Sequence, residues 1–285
     1  MSGHDDGEVE GAPVRGGPAR VHPSAIVEAD VDLGPEVDVG PFCMLQGRIR
    51  IGAGTRLIGH VTIFGDTEIG ASNVVHPNAV IGDEPQDLAY SGGPRAVRIG
   101  DRNVFREGVT IHRGSEHGAV TTIGDGNFFM QNAHAAHDCR IGSSTVIAGG
   151  ALLAGWVEVG DHALVSGNCV VHQHVRIGRL AMMRGLSRTS RDVPPFCIMD
   201  LTHTLRGINV VGLRRAGISA GAIRALRDAF TELFGRRRNL KVAIERLMET
   251  AALCPEVAEM VDFIRHSKRG VAFGPKDRGG AVEDY

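Results

Sequence analysis

The chain has 285 residues, of which 42% are hydrophobic and 5% aromatic, and its formal net charge at pH 7 is −2. Such a balanced charge gives no bulk electrostatic attraction to nucleic acid or to a membrane surface. No apolar run approaches the roughly 20 residues that cross a bilayer, and the first residues lack the apolar segment of a secretion signal, so membrane insertion is not expected. The five cysteines are scattered and form no CxxC pair, which favours a reducing, cytoplasmic location.

Residues 1–20 are rich in glycine, proline and acidic residues and show no hydrophobic period. A segment of this composition buries too little apolar surface to offset the entropy lost on ordering. We therefore predict a disordered leader over residues 1–20.

An apolar residue recurs at every sixth position from Val21 to Met183, and only Asp87, Gly93 and His117 break the row. A period of six cannot form one face of an α-helix, but it suits extended segments that bend sharply after every six residues. Three such segments make a coil of about 18 residues, so we predict a parallel β-helix over residues 21–200. The alternative is a sandwich of regularly spaced strands, but such strands drift in phase at their loops.

Glycines and loops interrupt the predicted coils. Glycine directly follows many of the apolar positions, as at Gly40, Gly52 and Gly124, where it suits a tight corner. Two excursions, residues 83–98 and 114–121, leave the six-residue period. Loops that project from a rigid scaffold are common places for substrate contacts, and we expect such contacts here.

Beyond residue 200 the hydrophobic period becomes helical, which predicts a C-terminal helical domain over residues 201–270 and a flexible tail over residues 271–285. Ser219 and Asn239 can cap two helices, and Pro255 can open a third. The apolar positions expected to face the core are Ile223, Leu226, Phe230 and Leu233 in the first helix, Leu240, Ala243, Ile244 and Leu247 in the second, and Val257, Met260, Val261 and Ile264 in the third.

Histidines cluster between residues 112 and 174. Residues about 18 apart lie on adjacent turns of such a coil, so His137, Gly155 and Gln173 should form one column, and Asp138, Trp156 and His174 the next. A histidine beside an aspartate, with a glycine N–H one turn away, can act as a general base with an oxyanion donor. The other interpretation is that these polar residues only cover the solvent side of a coil.

Seven short motifs follow one another along the chain: QDLAY at 86–90, TIHRG at 110–114, NAHAAHDC at 132–139, LLAG at 152–155, VHQ at 171–173, DVPPF at 192–196 and GINVVGLRRAGIS at 207–219. In this order they resemble the acyl-carrier-protein-dependent UDP-N-acetylglucosamine O-acyltransferases, which begin lipid A biosynthesis. The resemblance runs from about Val21 to Gly270, and NAHAAHDC is its most specific motif.

The resemblance implies a left-handed parallel β-helix in a homotrimer with active sites between adjacent subunits. It implies that His137 takes the proton from the sugar 3-hydroxyl, that Asp138 fixes the imidazole tautomer, and that the Gly155 N–H holds the oxyanion. The acyl group, most simply a 3-hydroxyacyl group, would come from acyl carrier protein. Neither a metal nor a cofactor is implied.

Further site residues follow from the same resemblance. Asp87 would hold sugar hydroxyls, and Gly185 would lie near the floor of the acyl groove. Arg215 would contact the diphosphate, where the alternative is a solvated surface charge. The other implied substrate contacts are His112, His134, His172, Gln173, His203 and Asn209.

Four positions depart from the resemblance. Ala89 replaces a usual Lys, Trp156 a frequent His, Val211 a frequent Glu and Ala216 a frequent Arg. We therefore expect fewer contacts to the sugar nucleotide than in the family, and a diamino-sugar nucleotide is an alternative acceptor.

The sequence also indicates a partner and leaves rival functions open. The basic run Arg236, Arg237, Arg238 and Lys241 suits an acidic acyl carrier protein, or is plain solvated surface. Rival functions are an acyl-CoA-dependent acetyltransferase, a non-catalytic scaffold, and a γ-type carbonic anhydrase with zinc on His112, His134 and His137. A related N-acyltransferase with an extra N-terminal domain ranks behind these, since about twenty residues precede the first repeat.

Overall fold

The computed structural model describes residues 16–235, 240–251 and 254–274. Within them the chain forms three sheets along the sides of a prism, named A, B and C here, followed by helices. All strands pair in parallel except the last strand of sheet A, Thr204–Ile208, which pairs antiparallel with Cys197–Asp200. The predicted left-handed parallel β-helix is confirmed. None of the helices in these residues combines the length and apolar character needed to cross a bilayer.

The strands are short, and each coil contributes at most one strand to each sheet. Sheet A contains Arg20–Val21, Asp38–Val39, Arg56–Leu57, Val74–Val75, Val104–Phe105, Phe128–Phe129, Val146–Ile147, Leu164–Val165, Met182–Met183, Cys197–Asp200 and Thr204–Ile208. Sheet B contains Ile26–Val27, Met44–Gln46, Thr62–Phe64, Val80–Asp83, Thr110–His112, His134–Ala135, Leu152–Leu153, Val170–Val171 and Arg188–Thr189. Sheet C contains Val31–Leu33, Ile49–Ile51, Asp66–Ile69, Ala96–Ile99, Val120–Ile123, Arg140–Ile141, Glu158–Val159 and Arg176–Ile177.

The strand register follows the predicted coil length. Val21 pairs with Val39, and Val39 pairs with Leu57. The two excursions lengthen single coils without breaking the ladder, because Val75 pairs with Phe105 and Phe105 with Phe129. The apolar residues of the six-residue row point into the prism, where Phe105, Phe129, Ile111 and Leu153 are fully buried.

The glycines after the apolar positions lie at tight corners, as predicted, where backbone of the next turn leaves no room for a Cβ. Gly40 and Gly52 do not adopt the left-handed conformation; instead, a Cβ on Gly40 would overlap the Ile58 carbonyl, and one on Gly52 would lie 2.5 Å from the Gly70 carbonyl carbon. These positions need glycine because adjacent turns approach closely there. The left-handed residues come two positions later, as at Asp138, Trp156 and His174, with φ of 61°, 58° and 60°.

The C-terminal region differs from the prediction at its boundaries. Strands Cys197–Asp200 and Thr204–Ile208 extend sheet A, so the first helix begins only at residue 210. Within the predicted tail, Val271 and Phe273 form bridges with Asp192 and Thr204. Backbone pairing with the last coil therefore holds residues 271–274, and Arg20 at the other end already belongs to sheet A.

The helices are α1 (Val210–Arg215), α2 (Ala220–Phe234), α3 (Leu240–Ala251) and α4 (Pro255–Arg265). The Ser219 hydroxyl caps α2 by accepting from the Ala222 N–H at 3.1 Å, as predicted. Asn239, the predicted cap of α3, lies outside the described residues, as do Arg236, Arg237 and Arg238 of the basic run. The predicted apolar faces of α2 and α4 are buried. Bidentate hydrogen bonds from Arg179 to Glu259, at 2.8–3.2 Å, attach α4 to the β-helix.

Candidate active site

His137 lies at the corner between sheets B and C, in the turn that joins His134–Ala135 to Arg140–Ile141. The backbone bonds between turns place its predicted neighbours in register. The Trp156 N–H donates to the His137 carbonyl at 3.0 Å, and the His174 N–H donates to the Gly155 carbonyl at 3.0 Å. The column predicted from the sequence spacing is therefore present.

His137 and Asp138 form a buried pair, with 3% and 8% of each residue exposed. The His137 Nδ1 lies 2.8 Å from the Asp138 Oδ2. Since a carboxylate can only accept, the proton of the neutral ring belongs on Nδ1. Nε2 is then left with a lone pair that can take a proton from a substrate.

Asp138 is held by more than the imidazole. Its Oδ2 also accepts from the Ser115 N–H at 3.0 Å and the Ser115 hydroxyl at 2.7 Å. Its own N–H donates to the Thr121 hydroxyl at 2.8 Å. These bonds fix both the carboxylate and the left-handed backbone of this residue, so the orientation of the His137 ring is set in advance.

Gly155 lies against the ring of His137. A Cβ on Gly155 would stand 2.7 Å from the His137 Nε2, which no side chain permits. The Gly155 N–H makes no backbone hydrogen bond within the described residues. An N–H without a backbone acceptor, on a residue that packs against the imidazole, is available to hold an oxyanion while the base acts on the attacking group.

Trp156 and His174 continue the neighbouring column. The Trp156 ring meets the His137 ring edge to face, with centroids 4.5 Å apart and planes at 89°. On its other side Trp156 stacks on His174 at 4.6 Å and 15°. The sequence predicted the column but not this covering of the imidazole.

His134 and His112 lie beside the pair on sheet B. The His134 Nδ1 is 2.7 Å from the Thr110 hydroxyl, and the His112 Nδ1 bonds to the Glu84 carbonyl. Burial, and then the nearby His112 and His137, lower the pKa of His134 to about 4. His134 is therefore a neutral ring at neutral pH, able to hydrogen-bond a substrate without adding charge.

His172, Gln173 and His203 lie further along the same corner, towards the C-terminal end. His172 Nδ1 is 3.3 Å from the Arg269 Nη2, and Gln173 is exposed. Burial, and then the charges of Arg191 and Arg188, lower the pKa of His203. These three residues extend the corner into a polar strip next to Gly155.

Ser115 and Arg95 were not predicted from the sequence as part of the site. Both are buried, at 7% exposure each, and the Arg95 Nε donates to the Ser115 carbonyl at 3.0 Å. Arg95 also lies over the Tyr90 ring, with its Cζ 5.4 Å from the centroid. Asp87, from the same excursion, accepts from the Ala89 N–H at 2.9 Å. From the sequence, the only sign of this region was the pair of excursions. Their residues do not follow the six-residue period, so the positions of individual side chains could not be predicted.

Asn209 and Arg215 lie elsewhere in the chain. They line a cavity of about 1020 Å³ at the corner between sheets C and A, bounded by α1 and α2. The Asn209 side chain is occupied within the chain: Oδ1 accepts from the Gly212 N–H at 3.1 Å, and Nδ2 donates to the Leu180 carbonyl at 2.9 Å. Arg215 is exposed.

Gly185 occupies the third corner, between sheets A and B. A Cβ there would lie 3.6 Å from the nearest atom, the Gly167 carbonyl oxygen, which is an ordinary van der Waals contact. One chain therefore brings His137, Asp138, Gly155, His112 and His134 together, with the strip His172, Gln173 and His203 next to them. It places Arg215, Asn209 and Gly185 at the other two corners.

No three His, Cys, Asp or Glu side chains among the described residues are placed to hold a metal ion. The nearest candidates, His112 and His134, each bond through Nδ1 to a protein oxygen.

Comparison with known proteins gives a consistent result. The model of a family described as UDP-N-acetylglucosamine O-acyltransferase, domain 2, matches residues 192–272. An acyl-[acyl-carrier-protein]--UDP-N-acetylglucosamine O-acyltransferase from Thermodesulfovibrio yellowstonii is 43% identical over 253 residues, which cover 88% of this chain and 98% of that protein.

Solved structures resemble the chain over nearly its whole length. The UDP-N-acetylglucosamine acyltransferase of Francisella novicida is 34% identical with a TM-score of 0.86, covering 90% of this chain and 94% of that one. The corresponding enzyme of Campylobacter jejuni is 35% identical with a TM-score of 0.82, covering 89% and 99%.

Proposed function

The chain belongs to the family of acyl-carrier-protein-dependent UDP-N-acetylglucosamine O-acyltransferases, and we propose that the corner between sheets B and C is its catalytic centre, with His137 as the general base. The reaction moves an acyl group from acyl carrier protein to UDP-N-acetylglucosamine in lipid A biosynthesis. The observation that carries the catalytic assignment is the His137 ring held at Nδ1 by Asp138, with Gly155 packed against the Cε1–Nε2 part of the ring.

The proposed mechanism needs these groups alone. Nε2 of His137 takes the proton of the sugar 3-hydroxyl as that oxygen attacks the thioester carbonyl carbon. The Gly155 N–H donates to the carbonyl oxygen while it carries negative charge, an interaction that in other enzymes lowers a barrier by roughly 3–4 kcal/mol. The carbon–sulfur bond then breaks, and the imidazolium returns the proton to the carrier protein thiolate. Asp138 stabilises the imidazolium between the two transfers.

The outward faces of the prism support a homotrimer. Sheet C points charged side chains outward: Asp32, Arg50, Glu68, Arg98, Arg140, Glu158 and Arg176. Beyond residue 100, sheet A presents apolar residues at the outward positions: Val104, Phe128, Val146, Leu164 and Met182. Sheet B presents Val80, Leu152 and Val170, with the polar Thr110 and His134 between them. Leu152 and Val170 are 44% and 48% exposed in the single chain. Contiguous apolar surface of this kind marks an interface, and face A of one chain against face B of the next closes a threefold ring.

Such a ring would join the separated parts of the site. If the A–B corners meet near the threefold axis, the B–C corner of one subunit comes to lie beside the C–A corner of its neighbour. His137 would then face the cavity that Arg215 and Asn209 line, and this cavity would take the UDP part of the acceptor. The acyl chain would run inward between the two apolar faces towards Gly185.

The co-substrate and the cellular compartment of the reaction are part of the same proposal. The reaction uses acyl carrier protein as co-substrate and needs no further cofactor. The thiols of Cys43, Cys139, Cys169 and Cys197 are free and buried, which fits a reducing compartment such as the cytoplasm.

An acyl-transfer assay with the purified protein tests the proposed function. The protein is incubated with UDP-N-acetylglucosamine and 3-hydroxyacyl carrier proteins of increasing chain length, and the products are separated by mass. We expect one acyl group per nucleotide, released by mild base as an ester, from particles of three times the 30.3 kDa of one chain. A base-stable amide, transfer from acyl-CoA alone, or a monomeric active species would contradict the proposal.

A further inference from the structure

The general base assigned above is almost completely covered. Only 3% of His137 is exposed, although a base must come within about 3 Å of the proton it removes. Asp138 occupies the Nδ1 side of the ring, and Gly155 lies against its Cε1–Nε2 part. The Trp156 indole also packs on the ring, 4.5 Å away between centroids. Because the first two contacts belong to the catalytic arrangement itself, Trp156 is the group that can give way.

Trp156 is held in a manner that permits movement. The residue is partly exposed, and its indole makes no hydrogen bond with the other described residues. Its specific contacts are two rings, the imidazole of His137 and the exposed imidazole of His174, on which it stacks. Ring contacts can be exchanged for contacts with a ligand without leaving a buried polar group unpaired.

We propose that Trp156 is a displaceable cover of His137 that determines the specificity of the reaction for a sugar hydroxyl over water. The inference rests on the proposed role of His137 as the base. In the covered state the Nε2 lone pair is shielded from solvent. Binding of the acceptor moves the indole off the imidazole, so the base becomes accessible only when the sugar is present.

The cover suppresses a defined side reaction. Without it, water at the acceptor position loses a proton to Nε2 while its oxygen bonds to the thioester carbonyl carbon. The carbon–sulfur bond breaks, and the imidazolium protonates the carrier thiolate, which gives a free fatty acid and unloaded carrier protein. Excluding water from a reactive intermediate is a general use of closing elements over active sites.

The first test uses the fact that Trp156 is the one tryptophan of the 285-residue chain. The fluorescence of the unmodified protein is recorded while UDP-N-acetylglucosamine is added, with binding followed in parallel by calorimetry. We expect the emission maximum to move to longer wavelength and acrylamide quenching to increase, both with the midpoint of the binding curve. Unchanged emission and quenching at saturation would overturn the proposal.

The second test measures hydrolysis against transfer. Trp156→Gly suits the left-handed backbone at this position, and Trp156→Phe restores an aromatic cover. We expect the glycine variant to raise the ratio of acyl carrier protein hydrolysis to acyl transfer about tenfold or more, and phenylalanine to bring the ratio back towards that of the unmodified protein. A ratio within twofold of the unmodified protein in Trp156→Gly would reject the cover.

Phe42→Gly is the matched control. Phe42 occupies the same left-handed corner conformation, with φ of 56°, and stacks on His60 at 4.9 Å, far from His137. Removing this aromatic residue should leave the hydrolysis ratio unchanged. An equal rise in Phe42→Gly would show that loss of any corner aromatic loosens the β-helix, and would reject the cover.

His137→Asn separates the role of His137 as base from the role of Trp156 as cover. If His137 is not the base, His137→Asn retains both transfer and hydrolysis. If His137 is the base but Trp156 is not a cover, His137→Asn loses both activities while Trp156→Gly leaves their ratio unchanged.

Discussion

The B–C corner around His137 and the C–A cavity around Arg215 are built in opposite ways. At the B–C corner the His137–Asp138 pair is buried, and Asp138 accepts from three donors on one oxygen. At the C–A corner a cavity of about 1020 Å³ lies open, with Arg215 exposed and Asn209 bonded to its own chain. Chemistry needs a fixed geometry, whereas a nucleotide site formed between subunits can remain open until the partner and the ligand fill it.

Gly155→Ala is expected to disturb catalysis at the B–C corner strongly. The added Cβ would stand 2.7 Å from the His137 Nε2, so the ring must move away from the position that Asp138 and Ser115 define. We expect kcat to fall by about 10²–10³, since both the base and the oxyanion donor are displaced. Steady-state transfer assays measure this.

Gly167→Ala serves as its control. A Cβ at Gly167 would meet the Gly149 carbonyl oxygen at 3.4 Å, an ordinary contact, and kcat should remain near that of the unmodified protein. Equal losses in the two variants would mean that alanine damages the β-helix in general.

Mixed trimers test whether the two corners form one site. His137→Asn chains lack the base, and Arg215→Glu chains carry a repelling charge where the diphosphate is expected. When equal amounts are unfolded and reassembled together, about a quarter of the sites combine an intact B–C corner with an intact C–A corner, so about a quarter of the activity should return.

The control for charge reversal is Arg214→Glu. Arg214 is also exposed at the end of α1 but does not line the cavity. This variant should keep its activity. Mixtures of the two inactive variants that remain as inactive as their components would place both groups in the site of one subunit and contradict a site shared between subunits.

Ser115→Ala should have a smaller effect. The variant loses the 2.7 Å bond from the hydroxyl to Asp138 but keeps the one from the backbone N–H. We expect kcat to fall about tenfold while KM for UDP-N-acetylglucosamine stays constant, because a charge-assisted hydrogen bond is worth about 1.5–3 kcal/mol. Ser187→Ala removes an equally buried hydroxyl that has no partner among the described residues, and should change neither constant.

The smallest effect concerns stability and pH. Burial holds the pKa of His134 at about 4, against about 6.5 in an unfolded chain. Between these values the unfolded chain binds more protons at this residue, so the free energy of unfolding falls as the pH drops through this window. The contribution of His134 should be about 2 kcal/mol per chain between pH 7.5 and pH 5.

Denaturant unfolding at the two pH values, at fixed chain concentration, measures the fall. His134→Gln should lose less stability than the unmodified protein over the same range. Equal losses would assign the pH dependence to other groups.

Sequence alone could predict the catalytic corner because the β-helix repeats. A fixed coil length places Gly155 next to His137 whatever the side chains do, and the ladder register follows the predicted spacing. Ser115 and Arg95 could not be found in this way, since they lie in excursions whose path the repeat does not determine. The position of Trp156 was predictable, but its contact with the imidazole depends on a side-chain conformation. The corners of Arg215 and Gly185 come from the long-range course of the chain, and in the proposed trimer their relation to His137 depends on a second subunit.

The most direct measurement of the catalytic assignment is the single-turnover rate of His137→Asn with 3-hydroxyacyl carrier protein and UDP-N-acetylglucosamine. His60→Asn, which alters a histidine at a distant corner, is the matched control. We predict that His137→Asn loses about 10³-fold or more in rate, that acceptor affinity is retained, and that the control stays near the unmodified rate. A His137→Asn rate within tenfold of the unmodified protein would contradict the assignment of the base.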